Sequence, residues 1–245
     1  LFLIILFIPS ITGLDHAPRS VLAVPVFVAT WWITEAIPIP ATSLMPLILL
    51  PLTGGTDEQI AANAYADPIV FMYMGGFIIA LAIEEWNLHR RIAMTIISMM
   101  GSSSNHVILA TMIATAFISM WLSTAATALL MFPIALAVIE EIKTAKFLSP
   151  ESAHKFSKAL LLTVAYSASI GGLATLIGSV PNAVFAAVAA SSLDRSVSFA
   201  QWMLFALPIT IILLIVLYLL LTKWLFKIDD ADQVSSDFAK KELHN

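Results

Sequence analysis

Two stretches of the chain gather small polar residues where no charge stands. The first reads Ser119-Met120-Trp121-Leu122-Ser123-Thr124-Ala125-Ala126-Thr127. The second runs Ser167-Ala168-Ser169-Ile170-Gly171-Gly172-Leu173-Ala174-Thr175-Leu176-Ile177-Gly178-Ser179-Val180-Pro181-Asn182. Glycines and a proline break a helix and leave free N–H and C=O groups at its ends. Free N–H groups at a helix N-terminus favour an anion, while bare carbonyls and hydroxyls coordinate Na⁺. The chemistry on offer is thus the binding of an ion and an anion without any charged side chain. An enzyme is disfavoured, because neither stretch holds a His, Asp, Glu, Lys or Arg and the chain has no cysteine to act as nucleophile. A proton relay is disfavoured for the same reason.

The elements that must carry these stretches lie in a bilayer. Of the 245 residues, 60% are hydrophobic and 11% are charged, against about 45–50% and about 25% in soluble domains. A net charge of −4 with 12 Lys and Arg gives no basic stripe, so nucleic-acid binding is set aside. Charge-free runs then mark the membrane segments. Leu1 to Leu14 opens inside a hydrophobic run and is taken as a clipped first span rather than a signal peptide. Val21 to Leu52 is interrupted at Thr34-Glu35-Ala36-Ile37-Pro38-Ile39-Pro40, which predicts two shortish helices joined by a tight turn. Glu35 belongs to that turn. An acidic loop, Thr56 to Asp67, precedes a span from Pro68 to Ile83, whose far end carries Arg90 and Arg91 and is therefore cytoplasmic.

Val107 to Ile139 is about 33 residues long, roughly 50 Å as a straight helix against a hydrocarbon core of about 30 Å. Arg90 and Arg91 lie before it and Lys143, Lys146, Lys155 and Lys158 after it, so both ends face the cytoplasm and the run predicts a re-entrant helical hairpin with its tip near Ser123. Ala159 to Leu193 holds three glycines and a proline near its centre and predicts a broken transmembrane helix. Phe199 to Thr222 is an ordinary span, and Asp229 to Asn245 is a polar tail or linker. The expected fold is an all-α polytopic membrane protein. Its parts are scaffold helices with an interfacial helix (1–106), the hairpin (107–142), the broken helix (143–198), a last span (199–227) and the tail (228–245).

The segments Trp31-Trp32-Ile33-Thr34-Glu35-Ala36-Ile37-Pro38, Phe71-Met72-Tyr73-Met74-Gly75-Gly76-Phe77, Trp86-Asn87-Leu88-His89-Arg90-Arg91, Ser119-Met120-Trp121-Leu122-Ser123 and Ser169-Ile170-Gly171-Gly172 with Ile177-Gly178-Ser179-Val180-Pro181-Asn182 occur in order. In these the chain resembles the divalent anion:sodium symporter family of dicarboxylate, citrate and sulfate transporters. The resemblance covers nearly the whole chain but only the first of that family's two inverted repeats. It implies one half of an inverted-repeat transporter that works as a homodimer with an elevator-like transport domain in the plasma (inner) membrane. It also implies a sodium site at Ser119, Ser123, Thr124 and the carbonyl of Gly178, and half of a substrate site at Ser123, Thr124, Ala125, Ser179, Pro181 and Asn182. The tip departs from the family's Ser-Asn-Thr at Thr124 and Ala125, and the loop has Ser179-Val180-Pro181 where Thr-Pro-Pro is usual.

The implied function is sodium-coupled transport of a small divalent anion, foremost a C4-dicarboxylate. A dicarboxylate exchanger and a non-transporting membrane subunit with a degenerate anion site are the rivals. Bland readings stand beside these. Transmembrane hydroxyls also serve as packing glue, and Gly75 and Gly76 are expected to let helices approach closely. His89, Arg90 and Arg91 are expected to open an amphipathic anchoring helix. Trp31, Trp32, Trp86, Trp202 and Trp224 fit an aromatic belt.

Overall fold

The computed structural model describes residues 2–7, 14–99, 103–145 and 148–228. They form helices α1 (Phe2–Phe7), α2 (His16–Thr34), α3 (Ile39–Leu52), α4 (Glu58–Tyr65), α5 (Pro68–Glu85), α6 (Leu88–Met99), α7 (Ser104–Ser119), α8 (Thr124–Ala145), α9 (Pro150–Gly171), α10 (Val180–Leu193) and α11 (Phe199–Leu219). A 3₁₀ turn, Gly172–Ala174, follows α9, and a π-helical turn, Leu220–Leu225, extends α11. No β-strand occurs among the described residues. The chain is an all-α, multi-pass membrane protein. Its helical segments His16–Thr34, Glu58–Glu85, Thr124–Thr144, Pro150–Ala174 and Phe199–Leu225 are long and apolar enough to cross a bilayer. The tail expected over Asp229 to Asn245 lies outside the described residues, as do residues 8–13 of the opening run.

The chain divides into two compact units between Phe71 and Met72. In the first, α2 and α3 join through Glu35, which takes a left-handed conformation at φ 48° and turns the chain. Pro38 precedes α3 and Pro40 stands in its first turn, where a missing N–H is harmless. The Ser20 hydroxyl donates to the Thr53 carbonyl at 2.8 Å and ties the start of α2 to the end of α3. α2 is longer than its charge-free run, because Arg19 lies within the helix and donates its Nε–H to the Asp15 carbonyl. A charge marks the water boundary and not the end of a helix.

The second unit is built on α6, α7, α8 and α9. Met94 of α6, Ile108 and Ile118 of α7, Met131 and Ala135 of α8, and Phe156 and Leu160 of α9 share one buried apolar core. α7 and α8 are joined by the turn 120–123, where the hairpin tip is expected. α8 runs past Glu140, Glu141 and Lys143 to Ala145, and α9 starts at Pro150, where Ser149 caps it by accepting the Ser152 N–H. The 16 residues of α7 and the 14 of α10 amount to about 24 Å and 21 Å of helix, too short for a hydrocarbon core of about 30 Å. The break between Gly171 and Val180 thus falls within the apolar run.

One expectation is corrected here. A side chain added at Gly75 would meet no atom within 4 Å, and one at Gly76 would make only ordinary contact with Ile177 at 3.6 Å. These glycines mediate no close helix approach among the described residues, since α5 buries none of its residues. Close approach occurs at Gly171, where an added Cβ would lie 2.5 Å from the Ala116 Cα, so α7 and α9 touch backbone to backbone. At the start of α6, where an amphipathic helix is expected, His89 is buried while Arg90 and Arg91 beside it are exposed, so the helix turns one face to the protein and one away from it.

Candidate ion and anion site

The turn 120–123 and the break 172–179 come together. Ser119, fully buried at the end of α7, donates its hydroxyl to the Ala168 carbonyl of α9 at 2.6 Å. Thr175 donates to the Met120 carbonyl at 2.5 Å and accepts the Gly178 N–H at 3.0 Å, so one hydroxyl staples the tip to the loop. The Asn182 amide donates to the carbonyls of Gly172 at 2.9 Å and Thr175 at 2.8 Å, holding the loop in shape from inside α10. From α5, the Tyr73 hydroxyl sits 2.9 Å from the Leu176 carbonyl and 2.5 Å from that of Ser179. Trp202 Nε1 donates to the Leu173 carbonyl at 3.0 Å.

Glycine is required where these pieces meet. A Cβ on Gly178 would lie 2.6 Å from the Gly172 carbonyl oxygen and 2.8 Å from that of Ser119. A Cβ on Gly172 would lie 2.5 Å from Thr124 Oγ1 and 2.9 Å from the Gly178 carbonyl oxygen. Two carbonyl oxygens stand against Gly178, and one carbonyl oxygen and one hydroxyl against Gly172, so four neutral oxygens gather around this glycine pair with no room for a side chain on either. Such a set of neutral oxygens suits a small hard cation. Among the described residues no group of three His, Asp or Glu side chains gathers to hold a metal ion.

The residues implied for the site fall into two groups. Ser119, Thr124 and Gly178 converge, with Thr124 Oγ1 at 3.4 Å from the Gly178 carbonyl. The Ser123 hydroxyl accepts the Ala126 N–H at 3.3 Å, capping α8. Ala125 and Pro181 lie exposed in the first turns of α8 and α10, and Ser179 precedes α10 without a side-chain cap. The N-termini of α8 and α10 therefore open beside the same oxygens, and their N–H groups favour negative charge there.

Tyr73 and Thr175 hold the loop although no sequence motif marks them, and Trp202 does so from a position that fits an interfacial belt. A phenol inside a charge-free span was the available signal, since its O–H must find an acceptor in a bilayer.

The profile of the family described as "Sodium:sulfate symporter transmembrane region" matches residues 1–245. The chain is 42% identical over 231 residues to the "Sodium-dependent dicarboxylate transporter SdcS" of Staphylococcus saprophyticus, covering 94% of this chain and 44% of that protein. It is 42% identical over 211 residues to the protein of the same name in Staphylococcus aureus NCTC 8325, covering 85% of this chain and 41% of that one. The chain spans less than half the length of these curated relatives.

Proposed function

The chain belongs to the sodium:sulfate symporter transmembrane family, and on that premise we propose that it forms half of a sodium-coupled carrier for a small dicarboxylate. The observation that carries this reading is the crowding of the Ser119, Gly172 and Gly178 carbonyls with Thr124 Oγ1 between a hairpin tip and a broken helix. Sodium, as co-substrate, takes those oxygens as ligands. Its charge then sits beside the first turns of α8 and α10, and with them it draws one carboxylate of the substrate to the N–H groups of Thr124, Ala125 and Val180. Without sodium, the carbonyls repel an anion, so binding is ordered, cation before dicarboxylate. The second carboxylate is held by a second half-site, supplied by further sequence of the same protein or by a second half assembling from a separate chain.

In this reading the hairpin is re-entrant, and residues 107–198 move as an elevator against the scaffold of residues 1–106 in a homodimer of the plasma membrane. Thr124 and Ala125 replace a carboxamide and a hydroxyl, which shifts substrate recognition toward backbone N–H groups.

The test is uptake of labelled succinate into proteoliposomes by the complete gene product, with and without an inward sodium gradient. Sodium-driven accumulation that Gly178→Ala abolishes in folded protein supports the proposal. Uptake that needs internal dicarboxylate in place of sodium would make the protein an exchanger, and no uptake by folded protein would favour the non-transporting subunit. The added methyl stands between the Gly172 and Ser119 oxygens, so unchanged sodium dependence in that variant would remove the cation from this position.

A further inference from the structure

A cavity of about 320 Å³ opens between α6 and α8 and shares no residue with the tip or the loop. Its walls differ in kind. From α6 come His89 and Arg90, together with Met94, and from α8 come the apolar surfaces of Leu129, Pro133 and Ala137. His89 is only 6% exposed, and its Nδ1 has no hydrogen-bond partner among the described residues. A buried imidazole nitrogen left unpaired is costly, and a ligand that pairs it regains that energy. Pro133 contributes a second polar atom. Having no N–H, it leaves the Leu129 carbonyl without its ordinary helical donor, and both residues line the cavity.

The position of the cavity narrows what it takes. Ala137 lies three residues before Glu140, the first charge of α8, and so sits near the water boundary. Leu129 lies eight residues deeper, about 12 Å along the helix. The cavity therefore runs from the cytoplasmic interface into hydrocarbon, with cationic and polar groups at hand and an apolar wall along its length. Basic pockets between helices on that side of a membrane suit anionic lipid head groups.

We propose that this cavity is a binding site for an anionic phospholipid with a hydroxylated head group. Its phosphate lies against the Arg90 guanidinium. The His89 Nδ1 and the Leu129 carbonyl meet the head-group hydroxyls, and one acyl chain follows Pro133 and Leu129 toward the midplane. Because α6 and α8 both line the cavity, the bound lipid bridges the interfacial helix and the second arm of the hairpin. The site rests on the membrane reading of the chain and not on the transported substrate.

The experiment is native mass spectrometry of the delipidated full-length protein, with dioleoyl phosphatidylglycerol or dioleoyl phosphatidylcholine added at equal concentration. The wild type is expected to retain phosphatidylglycerol over phosphatidylcholine by about fivefold, the preference one arginine confers at an anionic surface. Arg90→Gln, at an exposed position, should bring the two lipids level without loss of thermal stability. Ala137→Trp should fill the cavity and lose the retained phosphatidylglycerol. Equal retention of the two lipids by the wild type would overturn the proposal, as would a preference that survives both variants. Displacement of phosphatidylglycerol by 10 mM inorganic phosphate would overturn it too, by showing a site for a soluble anion.

Discussion

Ser119, Thr175 and Asn182 at the tip and loop are buried hydroxyl and amide residues, and so are Thr111, Thr115, Thr163 and Ser167 along α7 and α9. The first group is bonded across elements. Ser119 reaches Ala168, Thr175 reaches Met120, and Asn182 spans two carbonyls of the broken segment. The second group has hydroxyl oxygens with no partner among the described residues. It is arranged as two ladders, Thr111 and Thr115 leading to Ser119, and Thr163 and Ser167 leading to Gly171, each spaced so that side chains share one helix face. Burial and residue type are the same in both regions. The backbone around them differs. Within an unbroken helix a hydroxyl reaches only the carbonyl one turn back, as Ser157 does to Ala153 and Thr210 to Ala206. The four ladder hydroxyls do not make even that bond and serve as small packing surface. Where the helix is broken, the same hydroxyl becomes a tie between elements.

That contrast breaks most visibly at Gly171, where the ladder of α9 meets the site. Gly171→Ala should destabilise the folded protein by about 3 kcal/mol, the upper range for overpacking, because its methyl meets backbone and not a movable side chain. A wild-type melting temperature in detergent would show that α7 and α9 do not touch there. Thr175→Val should cost about 2 kcal/mol, since it strands the Met120 carbonyl and the Gly178 N–H together. Sodium affinity, measured by the ion's effect on thermal unfolding, should fall with it. A smaller loss, about 1 kcal/mol, is expected for Tyr73→Phe, which takes the phenol donor from the Leu176 and Ser179 carbonyls. Thr115→Val and Thr163→Val should go the opposite way and stabilise by up to about 1 kcal/mol, because each replaces an unpartnered hydroxyl with a methyl of the same shape. If either cost as much as Thr175→Val, the two regions would not differ as the hydrogen bonds imply.

The positions of the tip and of the broken segment were legible in the sequence. Glycine, proline and hydroxyl residues stand in the middle of runs that are otherwise Leu, Ile, Ala and Val, and backbone physics leaves such clusters few other uses. The ends of the helices were not, since Arg19 and Glu140 to Lys143 lie inside helices that continue beyond the apolar run. The division between bonded and unbonded hydroxyls was hidden as well. Thr115 and Thr175 are the same residue type with much the same neighbours, and only a partner 55 residues away in the chain separates them. Tyr73 was overlooked for a related reason, because its two acceptors lie more than a hundred residues further along.

The staple from Thr175 to Met120 also sets a schedule for biosynthesis. At a synthesis rate of about 5–20 residues per second, the 55 residues between donor and acceptor take about 3–11 seconds to appear. Until then the Met120 carbonyl lacks its final partner, as the Ser119 hydroxyl does until Ala168 appears, and hydrocarbon supplies no substitutes. Burying the tip in hydrocarbon before α9 is made would leave these groups unpaired, so the hairpin and α9 are expected to enter the bilayer as a single consignment.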